Sequence, residues 1–429
     1  MSDEIEGFLR RMADEVQTRP GIPAGMLGRA ARRRARTVTV GTLVLALVGY
    51  GGFAGVRALT RPAPVAPATA QACSWDRVAS PNMESDSLSN RLLAVDALSE
   101  RDVWAVGDAY VPEEGGDQRA IAMHWDGTAW TLTDLPPVGT GSSLTDVAAV
   151  APGDVWAVGF EGNRSLIIHW DGNAWSEVPG PATEGQSQLD GIAAVAANDV
   201  WVVGASSEAP MAIHWNGEAW HRVPTPNPDP QPLVDSPVGF LRAVVALDSQ
   251  DVWAVGETAN LAPAGPSDTL VMHWDGGAWT TVPSPDPPLQ DPPHSFVFDV
   301  AGAAGDLWAV GSWATEPGYG GAADSALLLH WDGSAWMVSP LPPLPDHSRL
   351  AGIAAQGQDA WAVGSSDIPG SYQPLILRRD SGGWIEVETA QLPDGWLAEV
   401  ALTPSGQAWA VGTTEEMRGR TLVLHCGTS

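Results

Sequence analysis

The sequence predicts an all-β fold, a seven-bladed β-propeller of four-stranded blades preceded by one transmembrane helix. Three observations predict it. A D-x-W-A-V-G element recurs at intervals of about 50 residues, an H-W-D-G-x-A-W element follows most copies, and an unbroken apolar run precedes them all.

The first element recurs seven times. D-V-W-A-V-G stands at 102–107, 154–159 and 251–256, and D-V-W-V-V-G at 199–204. D-L-W-A-V-G at 306–311, D-A-W-A-V-G at 359–364 and Q-A-W-A-V-G at 407–412 complete the set. An apolar stretch precedes each copy, such as L-L-A-V-D-A-L or L-R-A-V-V-A-L. After each of the first five comes an alternating run ending in H-W-D-G or H-W-N-G, then A-W. Alternation with period two marks half-buried strands, and two polar residues after H-W suit a tight hairpin turn. One unit is therefore four short antiparallel strands, a to d. Such a sheet, repeated in tandem, buries its faces by packing against neighbours around a ring. Of the 21 Trp, 19 occupy repeat positions, which assigns them to the core and not to a cofactor.

The seventh unit stops after T-L-V-L-H-C, without its A-W strand. A-C-S-W-D-R-V-A-S-P at 72–81 matches the missing strand, so 72–81 completes the last blade and the propeller spans 72–429. Cys73 and Cys426, the only two cysteines, flank that junction. Their counterparts in the first repeat, Thr128 and Trp125, face each other across the two-residue turn, with an expected Cα separation of about 5.5 Å, within disulfide reach. Such a bond requires an oxidising compartment.

Residues 38–57 supply the expected transmembrane helix. The run V-T-V-G-T-L-V-L-A-L-V-G-Y-G-G-F-A-G-V spans roughly 28 Å as a helix, close to the hydrocarbon thickness. Arg29, Arg32, Arg33, Arg34 and Arg36 crowd its N-terminal side, against Arg57 and Arg61 beyond it. The positive-inside rule then makes 1–37 a basic cytoplasmic segment, and it places the C-terminal domain outside a cell membrane crossed once. Residues 58–71 form a Pro/Ala-rich spacer. A cleaved signal peptide, with A-T-A or A-Q-A as the cut site, is the rival reading.

The repeats resemble tectonin and tachylectin-type propellers, in which V-W-x-V and W-D-G-x-x-W elements recur. More loosely, the D-G-x-A-W hairpin resembles the Asp-box turn of sialidase-like and kelch-like propellers, with one residue fewer between Asp and Trp. The segment E-I-E-G-F-L-R-R-M-A-D-E-V resembles the N-termini of actinobacterial membrane proteins associated with sigma-factor regulation. No His or Cys precedes residue 37, so it lacks the ligands of a zinc-type anti-sigma domain. These resemblances imply a fold and are nearly silent on activity.

The 22 basic residues are all Arg, and 51 acidic ones give a net charge of −29, which excludes nucleic acid as a partner. His and Asp recur once per unit, and antiparallel pairing sets Asp102 near His124, Asp154 near His169, Asp199 near His214, Asp251 near His273 and Asp306 near His330. In the sixth unit Arg378 takes the His position opposite Asp359. One pair per blade is dispersed round a ring, so these are structural hydrogen bonds; no metal or cofactor is expected. Propeller sialidases need convergent arginines and a Tyr–Glu nucleophile pair, but the 12 Arg beyond the spacer are scattered, and neither G-x-S-x-G nor H-E-x-x-H occurs. The innermost strands read as mostly small and apolar.

The chain is therefore read as a binding module and not an enzyme. A hydrolase or oxidoreductase with an unrecognised site and a purely structural envelope protein are the alternatives. Its ligand, a glycan or a protein, would meet the b–c and d–a loops. Four aromatics outside the repeat positions, Tyr110, Trp313, Tyr319 and Tyr372, fall in b–c loops, and Trp396 falls at a d–a junction. They come from neighbouring blades of a closed ring and suit stacking or protein capture. The alternative is that they pack their own loops.

Overall fold

The computed structural model describes residues 73–83, 89–111, 117–183, 185–206, 209–227, 237–260, 267–287, 294–314, 325–368, 371–415 and 419–427. The expected cytoplasmic segment, transmembrane helix and spacer lie outside them. Among the described residues no helix is long and apolar enough to cross a membrane.

The described residues form four-stranded antiparallel sheets in series. In the first repeat strand a is Ser89–Ser99, b is Asp102–Val111, c is Asp117–Trp125 and d is Trp130–Leu132. Repeats four and five, each with the same a-to-d pairing, join into one eight-stranded sheet through a single parallel pair, Ser267 with His294. In the last repeat, Gly395–Leu402, Ala408–Thr414 and Thr421–Cys426 are completed by Asp76–Arg77, with Asp76 opposite His425. One sheet thus contains both ends of the repeat region.

Cys73 and Cys426 are bonded, with Cα atoms 5.5 Å apart. Their register differs from expectation. In the first repeat Trp125 lies opposite Trp130, so Thr128 is inside the turn and not beside it. The turn takes four residues because Asp126 caps it: Oδ1 accepts the N–H groups of Thr128 at 2.8 Å and Ala129 at 2.9 Å. Extending the Asp76–His425 register by one sets Trp75 against Cys426, so the disulfide runs diagonally.

Every strand a carries a β-bulge after its buried apolar residue, for example between Leu92 and Ala94 and between Val297 and Asp299. The bulge explains the last letter of D-x-W-A-V-G. A Cβ on Gly107 would overlap the backbone carbonyl oxygen of Arg91, and the same collision recurs at Gly159, Gly204, Gly256, Gly311, Gly364 and Gly412. Only glycine lets strand b pass this close to the bulged strand.

Tryptophan joins the sheets. Trp104 of strand b packs edge-on against Trp175 of the next repeat, with ring centroids 5.4 Å apart and planes at 89°. Trp156 meets Trp220, Trp201 meets Trp279, Trp253 meets Trp336, Trp308 meets Trp384, Trp361 meets Trp75 and Trp409 meets Trp130 in the same way. The last contact returns to the first repeat, and the seventh strand a lies against the first. The circuit is closed, with the a strands innermost.

Candidate binding face and central channel

The four described aromatics of the five singled out in the sequence share no described cavity. Tyr110 and Tyr372 are exposed, Trp313 and Trp396 are half-buried, and Tyr319 lies outside the described residues. Tyr110, Trp313 and Tyr372 lie in strands and not in b–c loops, whereas Trp396 stands at the start of an a strand, at the d–a junction. Tyr110 ends a b strand opposite Gln118, Trp313 sits in Asp306–Ala314 opposite Ser325, Tyr372 opens a c strand opposite Asp367, and Trp396 belongs to Gly395–Leu402. The strands simply run further past the conserved glycine than the pattern implied. Trp313 lines a groove of about 370 Å³ with Leu341, Leu344 and His347 of the following d–a connection. Trp396 alone reaches the axis, in a cavity of about 320 Å³ at the channel mouth that also holds Leu93, Phe298, Asp190 and Arg242.

A larger concavity, about 450 Å³, opens on the same face between repeats two, three and four. Phe160, Gln188, Asp190, Phe240 and Arg242 line it. Arg242 is fixed in place: Nη2 donates to Glu257 Oε1 at 2.6 Å and Nε to the same oxygen at 3.1 Å, with the guanidinium 5.4 Å over the Phe240 ring. Burial pushes the Asp190 carboxyl up, opposed by the Arg242 charge and by the Gln188 amide, which donates to Oδ1.

Deeper in the channel the walls are mostly small and apolar, as the a strands read, but four carboxyl groups interrupt them. Asp96, Asp146, Asp299 and Glu399 project into it. Each Asp binds two strands. Asp146 Oδ1 accepts the N–H of Val147 and Oδ2 that of Ile192, both at 2.7 Å. Asp96 likewise joins Ala97 to Ala149, and Asp299 joins Val300 to Ile353. Burial raises the pKa of all four carboxyls. Glu399 is raised well above the ordinary range, first by burial and then by the neighbouring Asp299. The only sequence signal was a single acid in stretches such as L-T-D-V-A-A-V, and nothing in the spacing says that acids a hundred residues apart will meet.

The Asp–His pairs sit apart from both cavities. Their Nε2–Oδ1 distances are 2.8 Å for Asp102–His124, 2.7 Å for Asp154–His169, 2.7 Å for Asp199–His214, 2.8 Å for Asp251–His273 and 2.7 Å for Asp306–His330. Each imidazole also stacks on the b-strand Trp, at 4.3 Å for Trp104 and 4.0 Å for Trp308. Arg378 replaces His in the sixth repeat, 3.6 Å from Asp359 and over Trp361. In the seventh, His425 bonds Gln407 at 2.9 Å. Among the described residues no group of three His, Cys, Asp or Glu side chains is placed to hold a metal ion.

Sheets in series around a channel, each locked to the next by aromatic contacts, define a β-propeller. Solved structures similar to this chain are propellers too. YCF48 bound to D1 peptide has a TM-score of 0.51 at 15% identity, covering 83% of this chain and 97% of its own. YCF48 from Cyanidioschyzon merolae follows at 0.49 and 13%, covering 82% and 98%. SapL1 lectin in complex with alpha methyl fucoside gives 0.41 at 13%, covering 71% and 97%. At these identities the likeness is one of fold. No protein-family model matches the chain, and no curated protein matches it in sequence.

Proposed function

We propose that this chain is a membrane-anchored, extracytoplasmic binding module: a seven-bladed propeller carried on a helix at 38–57, presenting its b–c and d–a face to a glycan or protein ligand. The observation that carries the reading is the pair of cavities on that face, in which Trp396, Phe298, Phe160 and Phe240 stand beside an arginine already locked in position. Aromatic walls with a few fixed polar groups are what ligand pockets use. The Arg asymmetry about 38–57 and the Cys73–Cys426 bond support the outside location. The propeller of similar fold that was solved with a peptide bound supports a ligand of this kind.

A hydrolase built on Asp299 and Glu399 is the second reading, favoured by their raised pKa values. The oxygens of Asp299 are, however, occupied by the backbone N–H groups of Val300 and Ile353, a structural task. The test is to probe glycan and peptide arrays with the full chain in nanodiscs, beside Trp396→Ala and Trp313→Ala variants. Binding lost in Trp396→Ala and kept in Trp313→Ala supports the channel mouth. Binding indifferent to Trp396, or none at all, defeats the reading.

A further inference from the structure

The concavity between repeats two, three and four carries a charge pattern that selects a ligand. Its floor is formed by Asp190 and Arg242, the bulged residues of neighbouring a strands. Nε and Nη2 of Arg242 are engaged by Glu257, whose side chain is 0% exposed. Arg242 Nη1 stands 3.7 Å from Asp190 Oδ2, beyond hydrogen-bond distance. Two acidic side chains, Asp190 and Glu257, thus stand against this one guanidinium. Phe160 and Phe240 add aromatic walls. A carboxylate beside aromatic faces attracts an organic cation through charge and the ring quadrupole together.

Asp190 and Arg242 also border the channel mouth, where Leu93, Phe298 and Trp396 offer apolar surface. Pocket and mouth are one trough with a cation-seeking end and an apolar end. We propose that this trough binds a polypeptide segment whose Lys or Arg side chain enters at Asp190 while its apolar neighbours lie over Phe298 and Trp396. The proposal rests on the binding-module reading and narrows its ligand to a basic, apolar peptide. The net charge of −29 steers such a partner inward.

Isothermal titration of the full chain in detergent tests it, with an acetylated, amidated pentapeptide of one lysine flanked by leucines. The same peptide with norleucine for lysine, and a glucosamine trimer, are the comparison probes. The lysine peptide is expected to bind saturably and the norleucine peptide about tenfold or more weakly. Asp190→Asn should lose about tenfold, and Phe160→Ala, on the pocket wall, should lose several-fold even if the first variant folds poorly. Circular dichroism melts establish which variants fold. Equal affinity for the lysine and norleucine peptides, or full affinity in folded Asp190→Asn and Phe160→Ala, overturns the cation pocket. Binding of the glucosamine trimer alone overturns the polypeptide assignment in favour of an amino sugar. Silence from all three probes overturns the inference, while the array experiment, which needs no cation, separately decides the wider reading.

Discussion

Asp299 and Glu399 share a hydrogen bond across the channel although a whole repeat separates their strands. The strand between them makes this possible by offering Gly352. A Cβ there would lie 2.6 Å from Glu399 Cα and 2.7 Å from its Oε1. Burial raises the pKa of both groups, and the neighbouring Asp299 raises Glu399 further.

A pH effect follows. Glu399 has a folded pKa above its unfolded value, so the unfolded chain releases that proton first as pH rises. Its contribution to stability is full in acid and is lost from the ordinary carboxylate range upward through the raised folded value. Glu399→Gln keeps a donor toward Asp299 but removes the titration. Calorimetry from pH 4.5 to 8 should show the variant's Tm advantage growing with pH, to about 2 °C or more at the top. An offset that does not change with pH refutes the shared proton.

Gly107→Ala should destabilise by about 1–3 kcal/mol or more, because its Cβ collides with backbone that the bulge holds in place. Gly277→Ala, where the nearest neighbour is a side-chain oxygen at 3.5 Å, should stay within about 0.5 kcal/mol of the parent. Urea unfolding compares the two. Equal losses would mean that the collision is relieved by movement.

Asp126 is held at a pKa of about 2 by the Thr128 hydroxyl and the N–H groups of Ala129 and Thr128. The third repeat uses Asn216 for the same two backbone N–H groups, at 3.0 Å each. Asp126→Asn should therefore melt like the parent and Asp126→Ala lower. Carbon-detected NMR should find the Asp126 carboxyl titrating near 2. A midpoint in the ordinary carboxylate range would show the cap to be open in solution.

Cys73→Ser should cost about 2–4 kcal/mol, since the outer strand of the last repeat is only Asp76–Arg77. Its reduced Tm should match that of the parent in reductant. An unchanged Tm would mean that Trp75 against Trp361 suffices to hold the strand.

The repeat was legible because its letters answer local demands: Trp at each inter-sheet contact, Asp or Asn at the turns, alternation along each strand. The Asp–His geometry was legible for the same reason, since antiparallel pairing alone brings Asp102 to His124. The channel was not. Asp96, Asp146, Asp299 and Glu399 look incidental within their own strands, and only ring closure assembles them. The bulge also breaks the period of two, so alternation could not predict that Asp190 and Arg242 would share a pocket floor. Tyr110 and Tyr372 attracted notice because no repeat position required them, yet neither lines a described cavity beside Trp396.

The bond between Cys73 and Cys426 has a topological consequence, because the 353 residues it spans form a covalent loop. A protease that cuts once anywhere inside that loop leaves a single molecule of undiminished mass, with the aromatic contacts between sheets still in place. Two pieces separate only after reduction. The oxidised propeller is a circle that can be opened without being divided.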